Sequence, residues 1–280
     1  MQTVGIVGAG QMGCGIAEVC VASGLDVILS DVSANSLERG LEKVHAGIER
    51  QVSKGKISST DAKSASAHLW GSITFDDFVA CDMVIEAATE DVEIKERIIR
   101  ELDKVVKAGA LIASNTSSVS ITALATKMSN PGRFIGMHFF NPVPVMSLVE
   151  IIRGIETTDA TYEATMALAT RVGKTPISVK NSPGFAVNRI LIPMINEAIF
   201  VLQEGLASAP EIDAGMQLGA NHPVGPLALA DLIGLDTTLA IMEVLYRDFN
   251  DSKYRPAPLL REMVDAGRLG RKTGTGFHSY

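Results

Sequence analysis

The stretch Gly8-Ala-Gly10-Gln11-Met12-Gly13 constrains this chain more than any other. It stands between a short apolar run, Thr3 to Val7, and an apolar, helix-compatible stretch that ends near Ser23 and Gly24. In that setting the first glycine permits a tight turn and the second lets the backbone approach a pyrophosphate. The third allows close helix–strand packing, and the helix N-terminus attracts the anion. Val27 to Ser30 is β-rich and runs into Asp31, a carboxylate about 20 residues beyond the loop, where such folds hold ribose hydroxyls. A glycine-rich turn alone carries little information; the flanking elements and the acid make this a dinucleotide site. Asp31 would repel a 2′-phosphate and neither Val32 nor Ser33 offsets it, so the expected cofactor is NAD rather than NADP. Gln11 and Met12 join Gly8, Gly10, Gly13 and Asp31 as expected cofactor-binding residues.

Strand-like and helix-like runs then alternate. Residues 33 to 68 are charged and mostly helix-compatible, and read as a helical hairpin inserted into the alternation. Ile73 to Phe75, Met83 to Ala88, Ala110 to Ser114 and Phe134 to Phe139 read as strands, with a helix over Glu93 to Lys107. Val149 to Ile152 and Pro176 to Val179 would close the sheet around a helix at Tyr162 to Val172. Alternation of this kind implies a parallel, doubly wound sheet of the Rossmann type. The breakers Asn181-Ser-Pro-Gly184 place the domain boundary at 182/183. Beyond it the periodicity is helical, with candidates at Val187 to Glu204, Ala209 to Leu218, Leu227 to Phe249 and Pro258 to Ala266. The expected architecture is α/β: residues 1–182 form the NAD-binding domain, and an all-α domain at 183–280 serves substrate binding and dimerisation.

The second informative stretch is Phe134 to Arg153. It sets His138 and Glu150 on two β-type runs joined by a Pro-rich turn. An imidazole held by a carboxylate is the common device for moving a proton near neutral pH. A proton acceptor combined with a nicotinamide nucleotide points to a dehydrogenase acting on an alcohol.

With these residues in view the chain resembles the 3-hydroxyacyl-CoA dehydrogenase family along its whole length. The resemblance rests on the glycine loop, on Ile85-Glu-Ala-Ala-Thr-Glu90 with Lys95, and on Ser114-Asn-Thr-Ser-Ser118. It continues through His138-Phe-Phe-Asn-Pro-Val143, Leu148-Val-Glu-Ile-Ile152, Asn181-Ser-Pro-Gly-Phe-Ala-Val-Asn-Arg189, Pro223-Val-Gly-Pro226 and Gly270-Arg-Lys-Thr-Gly274. It implies oxidation of an (S)-3-hydroxyacyl-CoA ester of short chain, with His138 as the base and Glu150 as the carboxylate that orients it. It further implies that Asn188 and Ser117 belong to the catalytic set and touch substrate. Glu90, Lys95, Asn115, Ser117 and Asn141 would lie along the nicotinamide side of the cofactor. The basic cluster Arg50, Lys54 and Lys56 would meet the CoA nucleotide, whose phosphates need cations. The residues themselves leave plainer readings open: Glu90 and Lys95 as a helix-surface pair, Ser117 and Asn141 as turn chemistry, and Lys54 as part of a solvated face. The segment at Gly270 looks like a phosphate loop but lacks a following helix, so it is given no chemistry.

Two other functions compete with this one. A dehydrogenase of free β-hydroxyacids would need a catalytic lysine where this chain has Asn188 and Arg189; relatives acting on sugar acids are harder to separate. A nucleotide-sensing protein on the same fold could dispense with the base altogether. With a net charge of −7 over 280 residues, wholesale binding to nucleic acid or a membrane surface is not expected. Three cysteines without a CxxC, no metal-ligand set, and no apolar segment of membrane length complete the expectation of a cytoplasmic protein. A homodimer or higher homo-oligomer is expected from the apolar C-terminal helices and the resemblance.

Overall fold

The computed structural model describes residues 1–55 and 57–280. Lys56, the third member of the basic cluster, lies outside the described residues. Contacts divide the chain into two compact units, Met1–Ser182 and Pro183–Tyr280.

The first unit is an eight-stranded sheet with helices on its faces. Its strands are β1 (Thr3–Val7), β2 (Asp26–Ser30), β3 (Leu69–Ser72), β4 (Met83–Glu86), β5 (Leu111–Ser114), β6 (Phe134–Phe139), β7 (Leu148–Arg153) and β8 (Thr175–Lys180). Their order is β3-β2-β1-β4-β5-β6-β7-β8. Its helices are α1 (Gln11–Ala22), α2 (Ala34–Ser53), α3 (Ser59–Ala67), α4 (Val92–Val105), α5 (Ile121–Ala125) and α6 (Asp159–Arg171). Every residue of β4 and β6 is buried, which is why these strands read as continuous apolar runs rather than alternating ones. The expected hairpin insertion is α2 and α3. On α2 the positions Leu37, Gly40, Val44, Gly47 and Ile48 are buried, a helical stripe packed towards α1.

The order reverses beside β1, which pairs with β2 on one side and β4 on the other. At such a switch point the loops leaving the strand C-termini diverge and open a crevice for ligands. The sheet is not parallel throughout: β6 and β7 are antiparallel. The short Pro-rich segment between them has no room for a crossover, which takes a dozen or more residues, so it can only reverse the chain.

Two elements differ from the sequence reading. The edge strand is Leu69–Ser72, not Ile73 to Phe75. The Ser72 hydroxyl bonds to the Thr74 carbonyl at 2.7 Å and to Asp77 at 2.6 Å, turning the chain away just where the β-branched Ile73 and Thr74 suggest a strand. Met83 to Ala88 also ends early, at Glu86.

The second unit contains α7 (Val187–Gln203), α8 (Ala209–Ala220), α9 (Pro226–Ile233), α10 (Leu235–Phe249) and α11 (Pro258–Asp265). Ile195, Ile199, Leu227, Ala230, Met242, Leu245 and Leu260 lie in its core. The single helix expected over Leu227 to Phe249 is two helices. Gly234 between them adopts φ 102°, which a helix interior does not allow and only glycine takes up readily.

Cys14, Cys20 and Cys81 are free and buried. Burial pushes the Cys20 and Cys81 thiols up to about 12, so they act as small apolar side chains rather than nucleophiles. Among the described residues no helix is long and apolar enough to cross a membrane.

Candidate active site

The cofactor loop follows β1. Gly8 has φ 103°, and a Cβ on it would come within 2.6 Å of the Ala88 Cα in the loop after β4. Two loops therefore meet at a distance that excludes a side chain. A methyl on Gly13 would overlap the Gly8 carbonyl oxygen. The N-cap of α1 is Gly10, which has no side chain to accept from the first amides, whereas α2 to α6 are capped by Ser33, Ser58, Asp91, Ser120 and Thr158. The first amides of α1 are thus left for an external anion, and the space beside Gly10 is open. Asp31 is fixed from both sides: Ala9 N–H donates to Oδ2 and Ser33 N–H to Oδ1, each at 3.0 Å. A cavity of about 690 Å³ opens beside it, walled by Val32, Ile73 and Phe75. Val32 is 96% and Ile73 66% exposed, so the protein itself leaves these apolar walls uncovered. Apolar walls next to a fixed carboxylate suit an adenosine, and the residues present fit NAD.

Glu90, Ser117 and Thr116 come together beyond β4 and β5. Glu90 accepts from Ser117 N–H at 2.6 Å, Ser117 Oγ at 2.8 Å and Thr116 Oγ1 at 2.6 Å. Asn115 accepts from the Phe139 amide at 2.8 Å, tying the loop after β5 to β6 beside His138. Gln11 donates to the Asn141 side chain at 2.8 Å, tying the cofactor loop to the turn after β6.

Lys95 overturns the plainer reading of a surface pair. Its side chain is 1% exposed, and it donates to Glu86 at 2.7 Å and Ser114 at 3.4 Å, with Glu90 at 3.8 Å. Glu86 also accepts from Ser114 Oγ at 2.7 Å and from the Ala88 amide at 2.9 Å. Sequence reasoning gave Glu86 and Ser114 no role. The available signal was a carboxylate closing an otherwise apolar strand, Met83-Val-Ile-Glu86.

His138 and Glu150 are register partners across the antiparallel pair β6–β7, so their side chains leave the same face side by side. Nδ1 lies 2.8 Å from Glu150 Oε2; His138 is 6% exposed and Glu150 fully buried. A carboxylate can only accept, so Nδ1 carries the proton and the imidazole lone pair is on Nε2. Arg50 and Lys54 lie apart from this pair, at a second cavity of about 500 Å³ that also includes Lys43. Asn188 is buried in the first turn of α7 in the second unit.

A dinucleotide loop at a sheet switch point, together with a histidine held by a carboxylate, defines a nicotinamide-dependent oxidoreductase. Comparison with known proteins narrows the class. Residues 3–182 match the model of the 3-hydroxyacyl-CoA dehydrogenase NAD binding domain, and residues 184–280 that of the 3-hydroxyacyl-CoA dehydrogenase C-terminal domain. The chain belongs to the 3-hydroxyacyl-CoA dehydrogenase family. A 3-hydroxybutyryl-CoA dehydrogenase of Bradyrhizobium diazoefficiens is 51% identical over 280 residues, covering 100% of this chain and 96% of that protein. A probable 3-hydroxybutyryl-CoA dehydrogenase of Bacillus subtilis is 48% identical, covering 100% and 98%. The crystal structure of (S)-3-hydroxybutyryl-CoA dehydrogenase from Ralstonia eutropha matches with a TM-score of 0.97 and 58% identity, covering 100% of this chain and 99% of that one.

Proposed function

We propose that this protein interconverts short-chain (S)-3-hydroxyacyl-CoA and 3-ketoacyl-CoA esters, 3-hydroxybutyryl-CoA and acetoacetyl-CoA above all. The observation that carries the reading is the buried His138–Glu150 pair at 2.8 Å in a chain that also holds the NAD loop. NAD, when bound, supplies the hydride acceptor. The chain's own work is to handle the proton: Nε2 of His138 takes it from the substrate 3-hydroxyl, while Glu150 holds the ring and balances the positive charge that develops. Ser117, held by Glu90, and Asn188 are further substrate contacts on the family resemblance. Along the cofactor we place Gly8, Gly10, Gln11, Met12, Gly13, Asp31, Glu90, Lys95, Asn115 and Asn141.

The test is oxidation of NADH by acetoacetyl-CoA, repeated with NADPH. Efficient turnover with NADH, and kcat/KM at least ten-fold lower with NADPH, is expected because Asp31 faces the 2′-position. Inertness toward acetoacetyl-CoA with both cofactors would overturn the reading.

Arg50 and Lys54 would hold the CoA phosphates at the second cavity. Lys54→Ala is expected to raise KM for acetoacetyl-CoA several-fold and to leave KM for NADH unchanged. An unchanged KM for the ester would remove Lys54 from the site. We also read the protein as a cytoplasmic homodimer joined through its helical unit, where Ile190, Leu206 and Leu218 are 73%, 70% and 88% exposed. A monomeric mass in light scattering would contradict the dimer.

A further inference from the structure

Glu18 is the one charged residue in α1, whose sequence is QMGCGIAEVCVA, and it is only 6% exposed. Burying a carboxylate is costly unless its oxygens are hydrogen-bonded. Among the described residues Glu18 has one such partner: Gln51 Nε2 on α2 donates to Oε1 at 2.7 Å. No ion pair reaches Glu18 among the described residues, although Lys43, Arg50 and Lys54 line the same 500 Å³ cavity. The second oxygen, Oε2, lies against Gly47 of α2, where any β-carbon would overlap it. The helices are therefore shaped to admit this carboxylate at the cavity wall, and its Oε2 has no hydrogen-bond partner among the described residues.

The chemistry of the cavity narrows the choice of ligand. Three cations call for several negative charges, and a buried acceptor calls for an N–H donor near them. The adenosine of NAD does not answer this description, because it has a cavity of its own beside Asp31 that shares no lining residue with this one. The phosphorylated adenosine of a CoA ester does answer it: it carries phosphates on the ribose, and the exocyclic amine is the one N–H donor of its base. Resting on the CoA-ester function proposed above, we infer that Glu18 accepts a hydrogen bond from the adenine amine of the CoA ester and so selects the base. Gln51 positions the carboxylate by holding Oε1.

The experiment compares wild type and Glu18→Leu on three substrates: acetoacetyl-CoA, its analogue with hypoxanthine in place of adenine, and acetoacetyl-pantetheine. Glu18→Leu should raise KM for acetoacetyl-CoA about ten-fold, as expected for one hydrogen bond to a charged group, with kcat and KM for NADH unchanged. Wild type should show the same about ten-fold rise on the hypoxanthine ester, and the variant on that ester should show no further loss. Acetoacetyl-pantetheine, which lacks the nucleotide, should have one KM for both proteins. Equal use of the adenine and hypoxanthine esters by wild type would overturn the inference, and that arm needs no variant to fold. An equal penalty on acetoacetyl-pantetheine would also overturn it, because the acceptor would then serve the pantetheine arm or the fold. Wild type inert toward all three esters would overturn the parent function instead, a result distinct from both.

Discussion

His138→Gln should reduce kcat for acetoacetyl-CoA reduction by about 10²- to 10⁴-fold, the range that a positioned general acid–base contributes. Glutamine is chosen because its amide N–H can still donate to Glu150, so the buried carboxylate keeps a partner and the fold is not asked to absorb an orphaned charge. What the amide cannot do is give or take a proton near neutral pH. The dissociation constant for NADH, read by fluorescence titration, should stay within about two-fold of wild type, because the cofactor loop after β1 is built without His138. Loss of turnover with cofactor binding intact is the expected signature. A variant that keeps most of its kcat would remove His138 from the mechanism, and one that loses NADH binding as well would mean that the ring supports the fold instead.

Lys95→Met should cost about 3–5 kcal/mol of stability, measured as a lowered denaturant midpoint, because it leaves Glu86 buried without its cation. Ser114 and the Ala88 amide would remain as donors, but neutral donors do not balance a charge that has no contact with water. Against a typical domain stability of about 5–15 kcal/mol, such a loss is enough to reduce the folded fraction visibly. The second substitution decides the interpretation. Lys95→Met combined with Glu86→Leu removes both charges and should recover most of the loss, since a buried ion pair is often matched by apolar groups of similar volume. A single variant as stable as wild type would refute the buried pair. If the double variant is stable yet binds NAD poorly, Lys95 contacts the cofactor; if it binds NAD normally, the ammonium serves Glu86 and Glu90.

The residues legible in the sequence are those whose meaning is local. Gly8, Gly10 and Gly13 with Asp31 are spaced by one strand–loop–helix–strand unit, and His138 and Glu150 sit on two β-type runs about a reversing turn, so the pattern carries their placement, while the roles of His138 and Glu150 rest on the resemblance as well. The sheet and the helical second unit were legible for the same reason. The network of Glu86, Lys95 and Ser114 was not. Lys95 sits on α4 with opposite charges at helical spacing, which looks like a solvent-exposed face until the sheet is seen covering it. Glu18 was hidden likewise, because only the approach of α2 buries it. Gly234 inside an apolar, helix-compatible stretch could be read as tolerated or as a break, and its positive φ decides for the break. Ile73 and Thr74 have strand-forming side chains but come directly after Ser72, the last residue paired with β2.

The antiparallel join between β6 and β7 has a consequence for how the molecule can change. His138 and Glu150 are separated by only 12 residues and meet through one hairpin, whereas the nucleotide loop depends on β1 pairing with β4 from far along the chain. Hairpin contacts form quickly and close little chain entropy, so the His138–Glu150 pair is a self-contained cassette. Drift in distant helices can retune which alcohol is presented while the angle between ring and acid stays inherited.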